Sequence, residues 1–463
     1  MPSKKKSRPS SRRPSGRGDA SRAARPNASA PPDLPPVELE VGPVAHGGHC
    51  VARHEGRVVF VRHALPGERV LARLTSAEDD ARFWRADAVE VLEASPDRVP
   101  SAWPAAGPGG VGGGELAHVA LAAQRRWKQT VLAEQLERLA GVTEVDGVPV
   151  AELPVAAAPG DDERGGLGWR TRIELVTDAQ GRAGMHRYRS HDVVPLDDMP
   201  LASDEVRALC ETEGVFTRLW PAGVRLDVIA PADGSAPLLL QDGEPLRGGR
   251  TDERPNARRT VTETVALPDG RTGTYRLRGD GFWQVHRAAP AVLVGAVLDA
   301  LAGTGAGATV LDLYSGAGLF TAPLADLVGP AGRVVAVEGS EQAVKDARRS
   351  LHDVRQVELH AGRVETTLTA LRAAAGSSGG LRAADAVVLD PPRAGAGRQV
   401  VEQVAHLAPA TIVYVACDPA ALARDVAYLA DQGYRLAALR AFDLFPMTHH
   451  VEAVATFVPA VER

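Results

Sequence analysis

Cysteine is scarce in this chain, which has only Cys50, Cys210 and Cys417 among its 463 residues. Because the three are odd in number and far apart, no disulfide framework is expected, and a reducing cytoplasm is the simplest predicted location. An iron–sulfur cluster normally takes four thiolates, so the cysteine count also predicts that no cluster is bound. No other metal site is predicted.

Long apolar runs are lacking as well, and no stretch approaches the roughly 18 residues that a membrane-spanning helix needs. We therefore expect no membrane association. The N-terminus is basic but is not followed by an apolar stretch, which argues against a secretory signal. The formal net charge of −5 does not indicate a nucleic-acid-binding protein as a whole, so any RNA binding must come from local basic patches.

The length of 463 residues predicts two or three domains, and the residue pattern predicts a multidomain α/β protein. Residues 1–35 are dominated by Ser, Pro, Gly, Ala and basic residues, so we predict a disordered tail. Two interpretations of this tail remain open, an arm that attracts RNA by its charge or a solubilising segment without a specific role. The sequence does not define the oligomeric state, and a monomer is the default expectation.

Short β-type runs separated by turns fill residues 36–99 and predict a small β-barrel. Basic residues on these runs are candidates for an RNA-binding face or are simply solvated outward positions, namely Arg57, Arg62, His63, Arg69 and Arg73. Residues 100–270 follow, with a linker helix predicted at 121–140 from its apolar spacing. A central α+β domain is predicted after that helix.

Repeated strand–turn–helix units fill residues 271–463 and predict a Rossmann-like domain. In the first unit an apolar strand runs into Tyr314, Gly316 and Gly318, and such glycines let the backbone approach a ligand. A second strand ends at Glu338, about twenty residues later, where an acid typically binds ribose hydroxyls. A third strand ends at Asp390. The full fingerprint of a NAD site is absent, because its third glycine is missing.

The last part of the chain supplies a thiol and a carboxylate. Residues 412–415 are predicted to form a buried strand, so Cys417 lies at the sheet edge where open α/β sheets bind ligands. The following strand-and-turn segment ends in Glu452. Such a pair can serve as a nucleophile and a base. A single cysteine is more often inert packing, but the neighbouring motifs favour the nucleophile.

The sequence around Cys417, Tyr-Val-Ala-Cys-Asp-Pro-Ala-Ala-Leu-Ala-Arg-Asp, resembles the nucleophile motif of the RNA 5-methyluridine methyltransferases, and Phe-Pro-Met-Thr-His-His-Val-Glu resembles their base motif. The resemblance implies S-adenosylmethionine (SAM) as methyl donor and RNA as partner. It also implies that Cys417 attacks uracil C6 and that Glu452 is the base. Asp418 replaces the family's usual Asn, and its charge is expected to oppose thiolate formation and give a slower or more pH-dependent enzyme.

Further motifs extend the resemblance over most of the chain. Gly-Arg-Val-Val-Phe-Val-Arg-His-Ala-Leu-Pro-Gly-Glu-Arg-Val, at 56–70, resembles the TRAM domain, an RNA-binding barrel of the oligonucleotide/oligosaccharide-binding (OB) type. Residues 103–118 resemble the family's cluster-binding segment, but Val111 and Gly114 stand where relatives have cysteine. The resemblance implies cofactor contacts from Gln284, Tyr314, Gly316, Gly318, Glu338 and Asp390.

RNA contacts are implied by the same resemblance. Phe282 is expected to stack on a base that has been flipped out of its helix. Phosphate contacts are expected from a basic set, Arg170, Arg172, Arg187, Arg189 and His191.

The implied activity is SAM-dependent methylation of uridine C5 in structured RNA, and the N-terminal barrel favours ribosomal RNA over transfer RNA. Two other hypotheses stay open. A non-catalytic RNA-binding protein on the same fold is favoured by the missing cluster ligands and by Asp418 and His286, which both replace Asn. A methyltransferase acting on amino groups would not need Cys417.

Overall fold

The computed structural model describes residues 34–78, 80–376 and 379–460. Residues 1–33 of the predicted basic tail lie outside the described residues. Among the helices in the described ranges, none has the length and apolar character that crossing a membrane requires.

The N-terminal part is a small closed barrel, as predicted. Its strands are β1 (Val37–Ala45), β2 (His49–His54), β3 (Arg57–Arg62), β4 (Arg69–Ser76) and β5 (Phe83–Glu93). They close in the order β1-β2-β3-β5-β4, and the apolar side chains Val59, Val61 and Val70 fill the interior. The sequence pattern does not predict β2, which follows a tight turn at Gly47 and Gly48 with φ values of +91° and +77°.

A single long helix, α1 (Leu121–Ala140), connects the barrel to the rest of the protein at the predicted position, after a short 3₁₀ turn earlier in the linker. It ends where Gly141 adopts a left-handed backbone conformation. Trp127 and Val131 on one side of the helix belong to the barrel core. Leu136 belongs to the core of the C-terminal domain. The helix therefore fixes the barrel onto the C-terminal domain.

The region after α1 is mostly β-sheet. A hairpin of β6 (Glu144–Val145) and β7 (Val148–Pro149), a 3₁₀ turn and β8 (Val155–Ala157) lead into it. The following elements are β9 (Arg172–Thr177), β10 (Ala183–His186), β11 (Val193–Pro195), α2 (Asp204–Thr212), β12 (Arg225–Ile229), β13 (Leu238–Gln241), β14 (Glu244–Arg247) and β15 (Arg250–Thr251). Strands β9 to β15 form one sheet in the order β11-β10-β9-β12-β13-β14-β15, which is the predicted central α+β domain.

The predicted boundary after residue 270 falls in the turn of a hairpin formed by β16 (Thr260–Ala266) and β17 (Thr272–Arg278). Tyr275 of this hairpin is buried in the same core as the C-terminal sheet, and its hydroxyl donates a hydrogen bond to the carbonyl of Leu319 (3.0 Å). Because a hairpin and its packing partner form one unit, the C-terminal domain begins before β16 rather than at 271.

The C-terminal domain is the predicted Rossmann-like domain. Its strands are β18 (Thr309–Leu313), β19 (Arg333–Glu338), β20 (Val357–Ala361), β21 (Ala386–Leu389), β22 (Thr411–Ala416), β23 (Tyr434–Asp443) and β24 (Glu452–Pro459). Its helices are α3 (Ala289–Ala300), α4 (Thr321–Val328), α5 (Glu341–Ser350), α6 (Val364–Ala373), α7 (Arg398–Ala405) and α8 (Pro419–Asp431). The sheet order is β20-β19-β18-β21-β22-β24-β23-β8.

Strands β20, β19, β18, β21 and β22 of this sheet are parallel, and β24 joins β22 in the antiparallel sense. Strands β18, β19, β21 and β22 are buried for most of their length, as expected for a sheet covered by helices on both faces, whereas the edge strand β20 is only half-buried. Because parallel strands end at one common edge, the residues that follow β18, β19, β21 and β22 meet there.

Candidate active site

Cys417 and Glu452 lie at the ends of neighbouring strands on this edge. The antiparallel pair β22 and β24 places Ala416 opposite Ala453. Cys417 and Glu452 are the next residues along the same register, so their backbones lie side by side. Cys417 is half-buried, whereas only 4% of Glu452 is exposed. The sheet topology therefore brings together the predicted nucleophile and the predicted base.

The electrostatic surroundings favour the neutral forms of both groups. Burial, reinforced by Asp390, raises the pKa of Glu452 well above its ordinary value. Burial also raises the pKa of the Cys417 thiol to about 12, and the carboxylates of Glu452, Asp390 and Asp418 add to this while Arg393 opposes it. Adjacent anions repel each other strongly in a poorly solvated site. The thiol is therefore neutral at neutral pH in this structure, and nearby positive charge would favour its thiolate.

Three more acids lie close together where β18, β19 and β21 end. Burial raises the pKa values of Asp312 and Asp390 to about 7, and Glu338 contributes to the increase at both. The Glu338 carboxylate accepts a hydrogen bond from the backbone N–H of Gly316 (3.0 Å). Glu338 is thus fixed beside the glycine turn that follows β18.

Backbone geometry keeps that turn open. Tyr314, Gly316 and Gly318 have φ values of +64°, +54° and +91°, a region that residues other than glycine rarely adopt. The Tyr314 N–H donates to the Val337 carbonyl (2.9 Å), which holds the turn against β19. A Cβ atom added at Gly316 would meet no atom within 4 Å, so open space lies beside Glu338. An open backbone turn next to an acid fits a nucleoside with ribose hydroxyls.

Phe282 and Gln284 lie on the loop between β17 and α3. The Phe282 ring is 76% exposed and lines a cleft of about 320 Å³. Between them, Trp283 is buried and lies 5.0 Å from the Tyr275 ring, which anchors the loop. Gln284 is half-buried. The exposed ring of Phe282 is free to stack on a base, and both roles remain predictions.

Arg170 and Arg172, two of the arginines predicted as phosphate ligands, differ in their surroundings. Arg172 is buried, pairs with Glu263 (2.8 Å) and donates to the carbonyl of Gly281 (3.1 Å). The guanidinium of Arg172 is thus committed to partners inside the protein, which argues against the predicted phosphate contact. Arg170 lies over the ring of Trp169 (5.2 Å). Burial lowers the pKa of Arg170 to about 10, so it stays cationic at neutral pH.

A larger cleft, of about 810 Å³, opens between the barrel, the central domain and the C-terminal domain. Cationic side chains line it from all three parts, namely Arg85, Arg170, Arg189 and Arg393. Aromatic rings do the same, namely Phe60, Phe83, Tyr188 and Phe445. Grooves that combine cations with aromatic rings suit single-stranded nucleic acid, since the cations bind the backbone and the rings stack on bases.

The barrel surface of this cleft differs from the predicted one. Arg62 and His63 are buried, and Arg62 pairs with Asp87 (3.0 Å). Phe83 and Arg85, at the start of β5, line the cleft instead. Residues two apart on a strand share a face. The aromatic Phe83 and the basic Arg85 at this spacing were therefore the sequence signal for the barrel face that lines the cleft.

Comparison with known proteins agrees with this arrangement. The profile of the tRNA (uracil-5-)-methyltransferase family matches residues 256–458, and that of the TRAM domain matches residues 37–89. An RNA methyltransferase of Streptomyces avermitilis, described as uncharacterized, is 46% identical over 92% of this chain and 98% of its own. The 23S rRNA (uracil(1939)-C(5))-methyltransferase RlmD of Alkalilimnicola ehrlichii is 33% identical over 91% of this chain and 96% of its own. The chain belongs to the RNA (uracil-5-)-methyltransferase family.

The solved structure of Pyrococcus abyssi tRNA (uracil-54, C5)-methyltransferase in complex with S-adenosyl-L-homocysteine has the same fold. Its TM-score is 0.61, and the match covers 90% of this chain and 99% of that chain at 22% identity. The protein is thus an RNA methyltransferase with the SAM-dependent methyltransferase fold, as the sequence predicted.

The segment that resembles the cluster site of relatives is packed in this family member like an ordinary core. Val111 is 2% exposed. A Cβ atom at Gly114 would lie 2.6 Å from Ala106 and 2.8 Å from the Trp103 ring, so a cysteine does not fit there. In the described part of the chain no group of three or more His, Cys, Asp or Glu residues is placed to hold a metal ion. The residues present therefore do not fit an iron–sulfur cluster.

The same segment and helix α1 together support the loop that precedes Glu452. The Leu116 N–H donates to the Met447 carbonyl (2.9 Å). Gln124 accepts from the Met447 N–H (2.8 Å) and donates to the Val119 carbonyl (2.8 Å). The buried Lys128 donates to the Phe445 carbonyl (3.0 Å). Hydrogen bonds and apolar packing thus hold residues 444–451, the loop between β23 and β24 that is called the base loop below, without a cluster.

Three histidines, His286, His449 and His450, lie around the site. His286, which replaces the family's Asn, is buried and lies 3.0 Å from Asp161. The His450 ring lies 3.1 Å from an Arg393 guanidinium nitrogen, and burial lowers the pKa of His450 to about 3. Neutral His450 therefore contributes packing and a hydrogen bond, and His449 lines the large cleft.

Proposed function

We propose that this enzyme transfers a methyl group from SAM to C5 of a uridine in structured RNA, with ribosomal RNA as the target. The observation that carries the proposal is the pairing of Cys417 with Glu452 across the ends of β22 and β24, beside the open turn at Gly316. Few reactions need a thiol nucleophile and a carboxylate base at one methyl-transfer site, and C5 methylation of uracil is one of them.

Uracil C5 is a poor nucleophile and must be activated before it can take a methyl group. In the proposed mechanism the Cys417 thiolate forms a bond to C6, and the electron pair of the C5–C6 double bond makes C5 the nucleophilic carbon of an enolate. C5 forms its new bond to the methyl carbon as the bond from that carbon to the donor's sulfonium sulfur breaks, and the donor would leave as a neutral thioether. Glu452 then removes the C5 proton, the double bond returns, and the C6–sulfur bond breaks to regenerate the thiolate.

The environment of Glu452 suits that second step. Burial raises the pKa of its carboxyl, so the carboxylate, once its own proton has left to solvent, is a stronger base than a solvated glutamate. Glu452 is buried at the strand end beside the thiol, so the proton at C5 and the sulfur at C6 of one base would be reached from adjoining strand ends.

The methyl donor fits the open edge of the sheet. Tyr314, Gly316 and Gly318 shape the turn, Glu338 provides acceptors for the ribose hydroxyls, and Gln284 and Asp390 complete the proposed set. When bound, SAM supplies an electrophilic methyl group on a positively charged sulfur. Arg393, whose charge lowers the pKa of the Cys417 thiol, is the cation that the chain itself contributes.

RNA is proposed to enter through the large three-part cleft. Arg85, Arg170 and Arg189 would neutralise phosphates there. A base inside a folded RNA exposes neither C5 nor C6, so it must leave its stack. The exposed ring of Phe282 would support the flipped nucleotide.

The decisive experiment is nucleoside mass spectrometry on RNA from cells with and without this protein, with ribosomal and transfer RNA kept apart. Loss of 5-methyluridine from the ribosomal fraction is expected, in keeping with the barrel and with the similarity to a 23S rRNA enzyme. Loss from the transfer fraction alone would move the target to tRNA. No change in either fraction would favour a non-catalytic RNA-binding role.

A covalent trap separates this mechanism from methylation of amino groups. A 5-fluorouridine RNA cannot release the C5 substituent, so it should stay bonded to Cys417 after methyl transfer. Cys417→Ala should lose both the adduct and the activity, because no other group can form the bond to C6. Methyl transfer by the Cys417→Ala variant would exclude the mechanism.

A further inference from the structure

The turn between β1 and β2 of the barrel reaches into the C-terminal domain. His46 lies in this turn, and its Nε2 is 3.2 Å from Oδ2 of Asp418. Next to it, a Cβ atom at Gly48 would lie within 3.3 Å of the His449 ring. The turn is thus packed against the base loop on one side and against the residue after Cys417 on the other.

Asp418 is held by both domains. Its other carboxylate oxygen accepts a hydrogen bond from the backbone N–H of Ala421 (2.8 Å) and caps the N-terminus of α8. Burial acts to raise the pKa of Asp418, but the hydrogen bonds from His46 and the backbone outweigh burial and lower it. Asp418 is therefore an anion at neutral pH. Its second carboxylate oxygen pairs with His46 of the barrel.

This anion lies among charges that oppose a thiolate. Asp418, Glu452 and Asp390 all raise the pKa of the Cys417 thiol, and Arg393 alone among the contributing charges lowers it. A cation paired with Asp418 weakens the effect of Asp418 on the pKa of the Cys417 thiol, because the ion pair acts on the thiol more like a neutral dipole. Other charged or titratable groups line the same cleft as His46, namely Arg85, Glu115, Arg170, Arg189, Arg393, His49, His449 and His450.

We infer that His46 is a positioning residue for methyl transfer, which pairs with Asp418 from the barrel and thereby offsets the negative charge beside Cys417. The inference rests on the proposed function, since it takes Cys417 as the nucleophile. It explains how this chain accommodates Asp418 where relatives have Asn. It also makes thiol activation depend on the docking of the barrel, which is the RNA-binding module.

Alkylation of Cys417 by iodoacetamide, followed by peptide mass spectrometry, tests the inference without RNA or methyl donor. His46→Ala should slow alkylation about three- to tenfold, because a tenfold change in thiolate corresponds to one pH unit in its pKa. Asp418→Asn should alkylate at least as fast as the parent protein. Adding His46→Ala to Asp418→Asn should then have no further effect, because the anion that His46 offsets is gone.

Two further variants give a second readout. His46→Gln, which keeps a hydrogen-bond donor without the charge, should recover only part of the rate. His54→Ala, at a half-buried position of β2, is the matched control and should leave alkylation of Cys417 unchanged.

Two outcomes would overturn the inference. One is an unchanged alkylation rate in His46→Ala, and the other is an equal slowing by His46→Ala in the parent and in the Asp418→Asn background. Cys50 and Cys210 are buried, so their alkylation in the same samples reports unfolding. Alkylation needs no turnover, so its rate tests the role of His46 even if cells lacking the protein show no loss of 5-methyluridine. The two experiments therefore distinguish failure of this inference from failure of the proposed function. Where the enzyme is active, His46→Ala should lower kcat more than it changes KM for RNA.

Discussion

The catalytic edge and the cleft beside it have opposite electrostatic character. At the edge, burial raises the pKa values of Asp312, Asp390 and Glu452, so these acids retain protons that solvated carboxyls lose. The cleft is open and cationic, with arginines from three domains. Under the proposed function, the cleft attracts a polyanion and the edge holds its buried acids and its thiol in their protonated forms until substrate binds. Arg393 belongs to both regions.

Replacing the base at the edge gives the largest expected effect. Glu452→Gln should lower the rate of methyl transfer about 10²- to 10⁴-fold, the usual contribution of a positioned proton-transfer group. Since the bond to C6 forms before the base acts, the variant should accumulate a covalent complex with ordinary RNA, detected as a shifted band on a denaturing gel. Loss of activity without that complex would assign Glu452 to an earlier step and weaken the contrast between the two regions.

Arg172 contrasts with both regions, because its charge is neutralised inside the protein by the buried Glu263. Arg172→Ala would leave the buried Glu263 unpaired, which typically destabilises a protein by about 3–5 kcal/mol. Urea denaturation at neutral pH measures the change, and adding Glu263→Gln should restore part of the stability. Unchanged stability combined with weaker RNA binding would instead support the phosphate contact that the sequence predicted.

Substitution of arginines in the cleft tests whether their positive charge binds RNA. Arg85→Ala and Arg189→Ala should each weaken RNA binding severalfold and lower the slope of log affinity against log salt by about 1, as expected when one phosphate contact is lost. The measurement is a binding titration at several salt concentrations. Arg73→Ala, at an exposed position of β4, is the matched control. If it weakens binding as much as the other two, attraction is spread over the whole surface rather than concentrated in the cleft.

The sequence predicted the positions of the edge residues, because the rules that place a residue at a strand end are local, and the roles of these residues stay predictions. A strand that runs into glycines or an acid places that residue at a strand end, and parallel strands bring their ends together. Tyr314, Glu338, Asp390 and Cys417 follow from that rule, and the helix 121–140 follows from its apolar spacing. The sequence did not predict that this helix packs against both the barrel core and the core of the C-terminal domain, which the structure shows.

The cleft was only partly predictable, because it depends on how three domains pack. Arg170 and Arg172 are two positions apart, yet one lines the cleft and the other pairs inside the protein with Glu263. Nothing in a local pattern distinguishes them. The contact between His46 and Asp418 joins distant parts of the chain, so the sequence showed Asp418 as a departure from its family without showing the histidine that accompanies it.

The smallest expected effect concerns the neutral acids of the edge. Burial raises the pKa of Asp390 from 3.8 to about 7, so folding takes up a proton between these values and the stability from this group, full below the lower value, is lost as pH rises through the upper one. Asp390→Asn should therefore weaken the fall in Tm between about pH 4 and about pH 7 and raise Tm modestly at higher pH. Asp353→Asn, at a side chain that is 88% exposed, should leave the profile unchanged. A parallel profile for Asp390→Asn would mean that Asp390 is ionised in the resting protein, and the edge would then resemble the cleft in carrying charge before substrate binds.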